Sequence, residues 1–207
     1  MKSEKLKETY NKIARDWAID HKRDDWWIAV TDQFLSMLPK GATILDIGCA
    51  QGWKSAYLAS KGFSVTGIDF SEEMVLLAQK AFPKIPFKVW DLYDIEKLPG
   101  TFDCVFAQAV LLHVPKAEIL EVMGKIKTKL NPGGLLYVAV KQLREGESDE
   151  EEVTEKDYGF EYTRFFSYFT QEAMEGYFKK LGFEIVLSKV THSGRRSWIQ
   201  IAGKRSF

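Results

Sequence analysis

The sequence predicts a three-layer α/β fold, a seven-stranded and mostly parallel sheet with helices on both faces and an antiparallel strand at its C-terminal end. Two observations predict it. Short β-branched runs alternate with helix-period segments from Ala42 to Val140, the signature of parallel strands joined by helical crossovers. Two further apolar runs, Phe183 to Val190 and Ser197 to Ala202, are then joined by His192-Ser-Gly-Arg-Arg196, a hairpin signal that makes the last strand antiparallel.

The elements follow in order. Leu6, Tyr10, Ile13 and Trp17 recur at spacings of four, three and four and predict an N-terminal helix. A second helix is expected from about Asp24 to Leu38, stopped by Pro39-Lys40-Gly41. Ala42 to Ile47 is a buried strand bounded by glycine. A helix from Trp53 to Ser60, a strand from Ser64 to Ile68, a helix from Ser71 to Phe82 with a Ser71-Glu-Glu-Met74 cap, and a strand from Phe87 to Trp90 come next. After Asp91 to Gly100 the pattern predicts a strand from Phe102 to Ala107, a helix from Lys116 to Leu130, a turn at Asn131-Pro-Gly-Gly134 and a strand from Leu135 to Val140. The last helix is expected over Gln171 to Leu181, capped near Thr170.

At 207 residues the chain fits one α/β domain, and 45% apolar with 28% charged residues is ordinary globular composition. Lysine plus arginine balance aspartate plus glutamate at 29 each, so electrostatics give no case for a nucleic-acid or anionic-membrane binder. No apolar run approaches the roughly 20 residues of a membrane span. The N-terminus lacks the apolar core of a secretory signal, and the expected compartment is the cytoplasm. Cys49 and Cys104 fall on order of 15 Å apart on this layout, too far for a disulfide. The stretch Glu145 to Asp157 holds eight acids and one lysine, a local charge of −7, and is expected as an exposed loop.

Ligands of such sheets bind at the carboxyl ends of the strands, beside the point where strand order reverses. The segment there is Leu45-Asp-Ile-Gly-Cys-Ala-Gln-Gly-Trp-Lys-Ser55. A dinucleotide fingerprint would need glycines where Ala50 and Trp53 stand, which disfavours NAD. A phosphate-binding loop would place Trp53 where the backbone must wrap a phosphate, so Lys54 and Ser55 form only a near miss.

Asp46-Ile-Gly-Cys-Ala-Gln-Gly52 instead resembles the D-x-G-x-G-x-G loop of class I S-adenosylmethionine (SAM) dependent methyltransferases. The resemblance continues through Val65-Thr-Gly-Ile-Asp69, Ser71-Glu-Glu-Met74, Trp90-Asp-Leu92, Phe102 to Gln108, Leu112-His-Val-Pro115, Leu130-Asn-Pro-Gly-Gly134, and the tail from Phe166 to Phe183. It departs at Ala50, where the family has its middle glycine. The resemblance implies a Rossmann-like fold and one methyltransferase domain over 1–207. Within it, 1–38 would be a helical cover and 143–165 an acidic loop or lid. SAM would be the cofactor and S-adenosylhomocysteine the product.

The chemistry suits this family. SAM carries a sulfonium cation, a ribose diol and an adenine amine but no phosphate, so its site needs acceptors more than lysines. Asp69, 21 residues after Gly48 and at the end of the second strand, is positioned to accept from the ribose hydroxyls. The resemblance implies that Asp91 accepts from the adenine amine, the Leu92 backbone N–H donates to the ring, and Asp46 orients the loop near the methionine amino group. Gly48 lets the backbone approach the methionine end, with Ala50 and Gly52 completing the loop. Met74 is an apolar candidate to pack on adenine. Asp69 and Asp91 also have a plainer account, the capping of the helix that follows each, whereas the burial of Asp46 in a strand would demand loop and ligand partners.

The implied reaction is in-line displacement of the SAM methyl group. It requires alignment and desolvation, and a base only when the nucleophile must lose a proton. Gln108, His113 and Tyr10 are the groups expected near the methyl, with His113 the candidate for proton removal and backbone bonding its plainer role. Gln108-Ala-Val-Leu111 lacks the Pro-Pro-Tyr type motif of amino-directed nucleic-acid methyltransferases. Gln108, Lys141 and Gln142 stand where metal-dependent relatives carry acids, so no metal is expected. A small-molecule acceptor remains, with a protein side chain behind it. A non-catalytic SAM sensor or partner subunit is the competing class, and no feature sets an oligomeric state. The aromatic residues Trp17, Trp26, Trp27, Phe165, Phe166, Tyr168 and Phe169 are expected as packing, and Arg195-Arg196 as a hairpin tip.

Overall fold

Alternation along the central strands decides where everything else packs. In the computed structural model, which describes residues 2–21, 25–194 and 196–206, the first strand β1 (Thr43–Ile47) buries Ile44 on one face and Leu45 and Ile47 on the other. β2 (Ser64–Asp69), β3 (Phe87–Val89), β4 (Phe102–Gln108) and β5 (Leu130–Lys141) join it in parallel. β8 (Phe183–Ser193) and β9 (Arg196–Arg205) form the terminal hairpin, and β9 runs antiparallel to β5. The seven-stranded order is β3-β2-β1-β4-β5-β9-β8, so strand order reverses between β1 and β4.

Helices cover both faces, as α1 (Lys2–Asp20), α2 (Ile28–Leu35), α3 (Trp53–Ser60), α4 (Glu72–Ala81), α5 (Lys116–Lys127) and α6 (Gln171–Lys180). α5 and α6 bury Ile119, Val122, Met123, Ile126, Met174 and Phe178 against the Leu45 face. α2 and α3 bury Val30, Phe34 and Leu58 with Ile44, Phe106 and Tyr137 on the other. Asp103 pins the entrance to β1 by accepting from the Thr43 N–H and Oγ1, each at 2.9 Å, and from Asn131 Nδ2 at 2.8 Å. Ser71 caps α4 by accepting from the Met74 N–H, and Thr170 caps α6 through the Ala173 N–H.

Several expectations are revised. The second helix starts at Ile28, and Asp24, where it was expected to begin, lies outside the described residues, as does Arg195. α5 ends at Lys127, three residues short. Asp91 to Gly100 contains a 3-10 segment, Leu92–Lys97, whose first turn Asp91 caps through the Tyr93 N–H at 2.9 Å.

The largest revision concerns 143–165, expected as an acidic loop. β6 (Glu150–Glu155) pairs antiparallel with β7 (Tyr162–Ser167) in a separate two-stranded sheet. Its acids do not simply face water, because several have partners. Glu155 binds Arg164, Glu147 binds Arg196, Asp149 binds Lys116 Nζ, and Glu151 accepts from Tyr168. Cys49 and Cys104 are buried free thiols. No helix among the described residues is long and apolar enough to cross a membrane.

Candidate active site

A cavity of about 930 Å³, mouth included, opens at the carboxyl ends of β1, β2 and β4, where strand order reverses. Gly48 and Ala50 follow β1, Asp69 ends β2, and Gln108 ends β4; all four line it. Met74 from α4, Asp91 and Leu92 after β3, Tyr10 from α1 and His113 complete the predicted residues found there. Asp46 and Gly52 stand outside the lining.

Asp46 is displaced by strand geometry. Side chains alternate along β1, so Asp46 shares the face of Ile44 and meets α3, where Ser55 Oγ donates to its carboxylate at 2.5 Å. Burial raises its carboxyl to about 7, against the opposing bond from Ser55. Gly52 takes φ +85° as the residue that starts α3, backed by the Phe87 ring.

The loop between them is tightly specified. Gly48 has φ +68°, and a Cβ there would lie 2.9 Å from Val110 Cβ and Cγ2. Ala50 adopts φ +47°, the left-handed region in which an L-residue is strained by roughly 1–2 kcal/mol, which is why glycine suits this position. The Ala50 N–H donates to Asp69 Oδ2 at 2.9 Å, and the Ser71 N–H to Oδ1 at 2.9 Å. Asp69 thus ties the loop to the end of β2. Burial lifts its carboxyl to about 6, opposed by those backbone N–H groups.

On the opposite wall His113 is held at both nitrogens. Nδ1 lies 2.7 Å from the Phe165 carbonyl of β7, and a carbonyl only accepts, so Nδ1 carries the proton. Nε2 therefore accepts from the Tyr10 hydroxyl at 2.8 Å. Burial, together with the Arg164 and Lys141 cations, lowers His113 to about 3. The imidazole expected to remove a proton is a weak base here, and its acceptor nitrogen is engaged by Tyr10.

Arg164 of β7 was not foreseen. Its Nε and Nη2 bind Glu155 of β6 at 2.6 Å each, and Nη1 donates to the Tyr10 hydroxyl at 3.3 Å. The signal available in the sequence was a lone arginine between aromatic residues, Tyr162-Thr-Arg-Phe-Phe166, beside an acidic run. Trp17 and Phe70 also line the cavity, edge-on and tilted against Tyr10. Lys141, at the end of β5, has its Nζ 3.7 Å from the Phe166 ring centroid, and burial beside Arg164 and Arg196 lowers it to about 8.

Gln108 has a side chain 2% exposed whose amide oxygen and nitrogen both lack a protein partner. Buried polar groups are almost always hydrogen-bonded, so this amide is suited to a ligand at the β4 end. With acids after β2 and β3, a glycine turn after β1 and a largely apolar wall, the fold and cavity define a Rossmann-like nucleoside-binding protein. A family model described as a methyltransferase domain matches residues 19–188, and the chain belongs to the class I SAM-dependent methyltransferases. S-adenosylmethionine is the cofactor that this membership brings, and the lining fits its chemistry, with the carboxylates of Asp69 and Asp91 as acceptors and a largely apolar wall.

The chain is 35% identical over 130 residues to a putative methyltransferase of Bacillus subtilis, YqeM, covering 60% of this chain and 51% of that protein. It is 33% identical over 104 residues to a ubiquinone biosynthesis O-methyltransferase of Xanthomonas campestris, covering 48% and 43%. The chain thus spans about half the length of these curated relatives. The fold is shared with the 1,6-didemethyltoxoflavin-N1-methyltransferase of Burkholderia thailandensis, whose structure holds 1,6-didemethyltoxoflavin and S-adenosylhomocysteine. The TM-score is 0.77 at 17% identity, covering 99% of this chain and 89% of that one.

Proposed function

We propose that this chain transfers a methyl group from SAM to a small-molecule acceptor. The observation that carries the reading is the cavity at the reversal of strand order, with Asp69 on one side and the unpaired Gln108 amide on the other. The small-molecule class is supported by the names of the proteins above, one a ubiquinone biosynthesis O-methyltransferase and the other an N1-methyltransferase with bound 1,6-didemethyltoxoflavin.

When bound, SAM supplies an electrophilic methyl on a sulfonium sulfur. The chain's residues bind, align and exclude water. Asp69, already holding two backbone N–H groups, offers its remaining acceptor capacity to the ribose hydroxyls. Asp91 and the Leu92 N–H, which line the cavity after β3, would hold the adenine by accepting from its amine and donating to its ring, and buried Met74 would give it apolar contact. The glycine loop and the start of α3 receive the methionine end, and the Gln108 amide lies on the wall beside it. Asp46 supports the loop from behind through Ser55.

The acceptor enters against Tyr10, Trp17, Phe70 and His113. His113 serves there as a wall that presents a fixed hydrogen-bond acceptor to Tyr10, and rate comes from proximity and desolvation. Isothermal titration with SAM and S-adenosylhomocysteine, with NADH and ATP as controls, tests the reading. Saturable binding of the first two alone is expected, followed by methyl transfer in an acceptor screen. Binding of NADH or ATP instead would overturn the cofactor assignment, and SAM binding without transfer to any small molecule would leave a SAM-binding sensor or partner.

A further inference from the structure

The β6–β7 hairpin reaches the cavity through Arg164, which meets Tyr10, and through the Phe165 carbonyl, which meets His113. We propose that Arg164 is a positioning residue of the methyl-transfer site, holding the Tyr10 phenol in its bond to His113 and so fixing the face that Tyr10 presents to the cofactor cavity. The proposal rests on the methyltransferase reading and extends it to a residue on the inserted hairpin.

The geometry is cooperative. Glu155 grips Arg164 through two parallel bonds of 2.6 Å, a fork that fixes the guanidinium plane. The third nitrogen then points to the Tyr10 hydroxyl at 3.3 Å, and the guanidinium carbon lies 5.9 Å from the Tyr10 ring centroid and 5.1 Å from that of Phe166. Because Arg164 can only donate, the phenol accepts from it and spends its own proton on His113 Nε2. The Phe165 carbonyl, next to Arg164 on the same strand, fixes the other side of the ring. One strand therefore sets both ends of the Tyr10–His113 pair. The Arg164 side chain is only 14% exposed, and a buried cation that merely braced the hairpin would need Glu155 alone. Adjacent contacts, Thr9 Oγ1 to the Thr163 carbonyl at 3.1 Å and Ser167 Oγ to the Val114 carbonyl at 2.7 Å, hold the strand against α1 and the segment before α5.

The charged and titratable groups around His113 are Tyr10 from α1, Arg164 from β7 with Glu155 of β6 behind it, and Lys141 from β5. This separates charge from geometry in the test. Arg164→Lys keeps the cation but cannot hold Glu155 and Tyr10 together. S-adenosylhomocysteine affinity by titration calorimetry is expected to fall about tenfold, the size of one lost buried hydrogen bond, with His113 titrating as in the wild type. Arg164→Met removes the charge too, and the His113 midpoint, followed by imidazole NMR, is expected to move upward. Tyr10→Phe combined with Arg164→Lys is expected to bind no worse than the weaker single variant, since both break one contact chain. Wild-type binding by Arg164→Lys, full additivity in the double variant, or an unmoved His113 midpoint in Arg164→Met would each overturn the proposal. Failure of the wild type to bind S-adenosylhomocysteine would instead refute the methyltransferase reading, while the NMR comparison would still decide the coupling. Glu155→Gln, which loosens the clamp while leaving the Arg164 cation in place, repeats the binding comparison of Arg164→Lys without raising the His113 midpoint, and serves should an Arg164 variant not fold.

Discussion

Replacing Asp46 by asparagine removes the one carboxyl that burial holds near neutrality behind the glycine loop. Its exposure is 1%, and its carboxyl rises from 3.8 to about 7. At about 1.36 kcal/mol per pH unit this shift is worth about 4 kcal/mol. The sign follows from proton counting. Between pH 3.8 and about 7 the folded chain holds a proton on Asp46 that the unfolded chain has released, so stability falls as pH rises through that window. Asp69, raised to about 6, adds in the same direction. The wild type without ligand is therefore expected to be less stable to denaturant at pH 8 than at pH 5. Asp46→Asn retains an acceptor for Ser55 and introduces an amide whose cost does not depend on pH. Only the part of the window above pH 5 is crossed, about 2 pH units, so the difference between the two pH values should shrink in Asp46→Asn by an amount on the order of 3 kcal/mol, leaving the smaller slope due to Asp69. Guanidinium unfolding of both proteins at the two pH values measures it. Parallel pH dependence in wild type and variant would refute the reasoning, because it would mean that Asp46 is ionised at little cost in the folded state.

Gly48→Ala combines a left-handed φ with a Cβ 2.9 Å from Val110, and a loss of about 2 kcal/mol is expected, lowering the melting temperature by on the order of 6 °C. A wild-type melt would show that the loop relaxes freely. S-adenosylhomocysteine binding should weaken about tenfold from pH 7 to pH 5, because the ribose hydroxyls donate to the ionised form of a carboxyl near 6; Asp69→Asn should bind weakly at both pH values. Calorimetry over that range checks it, and a flat profile in the wild type would remove Asp69 from ribose binding.

The central sheet was legible because its signals are local. Glycine and acid residues punctuate β1, β2 and β3, and α3 occupies the predicted Trp53–Ser60. The residues that line the cavity at the strand ends were legible for the same reason, since topology alone carries Gly48, Asp69, Asp91 and Gln108 to one edge. Asp46 stands outside the cavity lining because strand parity decides its face, and Ile44 already marks that face as the one covered by α3. The hairpin was not legible. Glu150–Glu155 has the composition of a solvated loop and low intrinsic strand preference. What makes it a strand is pairing with β7 and partners remote in sequence, such as Arg164 for Glu155 and Arg196 for Glu147. The role of His113 was hidden likewise, its two partners lying 52 and 103 residues away.

The division between what was legible and what was not follows a division of labour in the site. In the proposed function the edge formed by β1, β2 and β4 is the cofactor side, and its geometry is written in short motifs that tolerate little change: Ala50 already strains the backbone by occupying the glycine position. The opposite wall is assembled from α1, the segment before α5 and β7, pieces that meet only in three dimensions. Tyr10 belongs to both, lining the cofactor cavity while bonded to His113 and Arg164. An altered hairpin would therefore change the acceptor wall without touching the strand ends, but it would be felt at the cofactor through Tyr10. Connecting segments carry specificity on a rigid scaffold in this way generally. Here the connections are Arg164 and the Phe165 carbonyl, and the Glu155 carboxylate beside the site is committed to the guanidinium, as Glu147 is to Arg196.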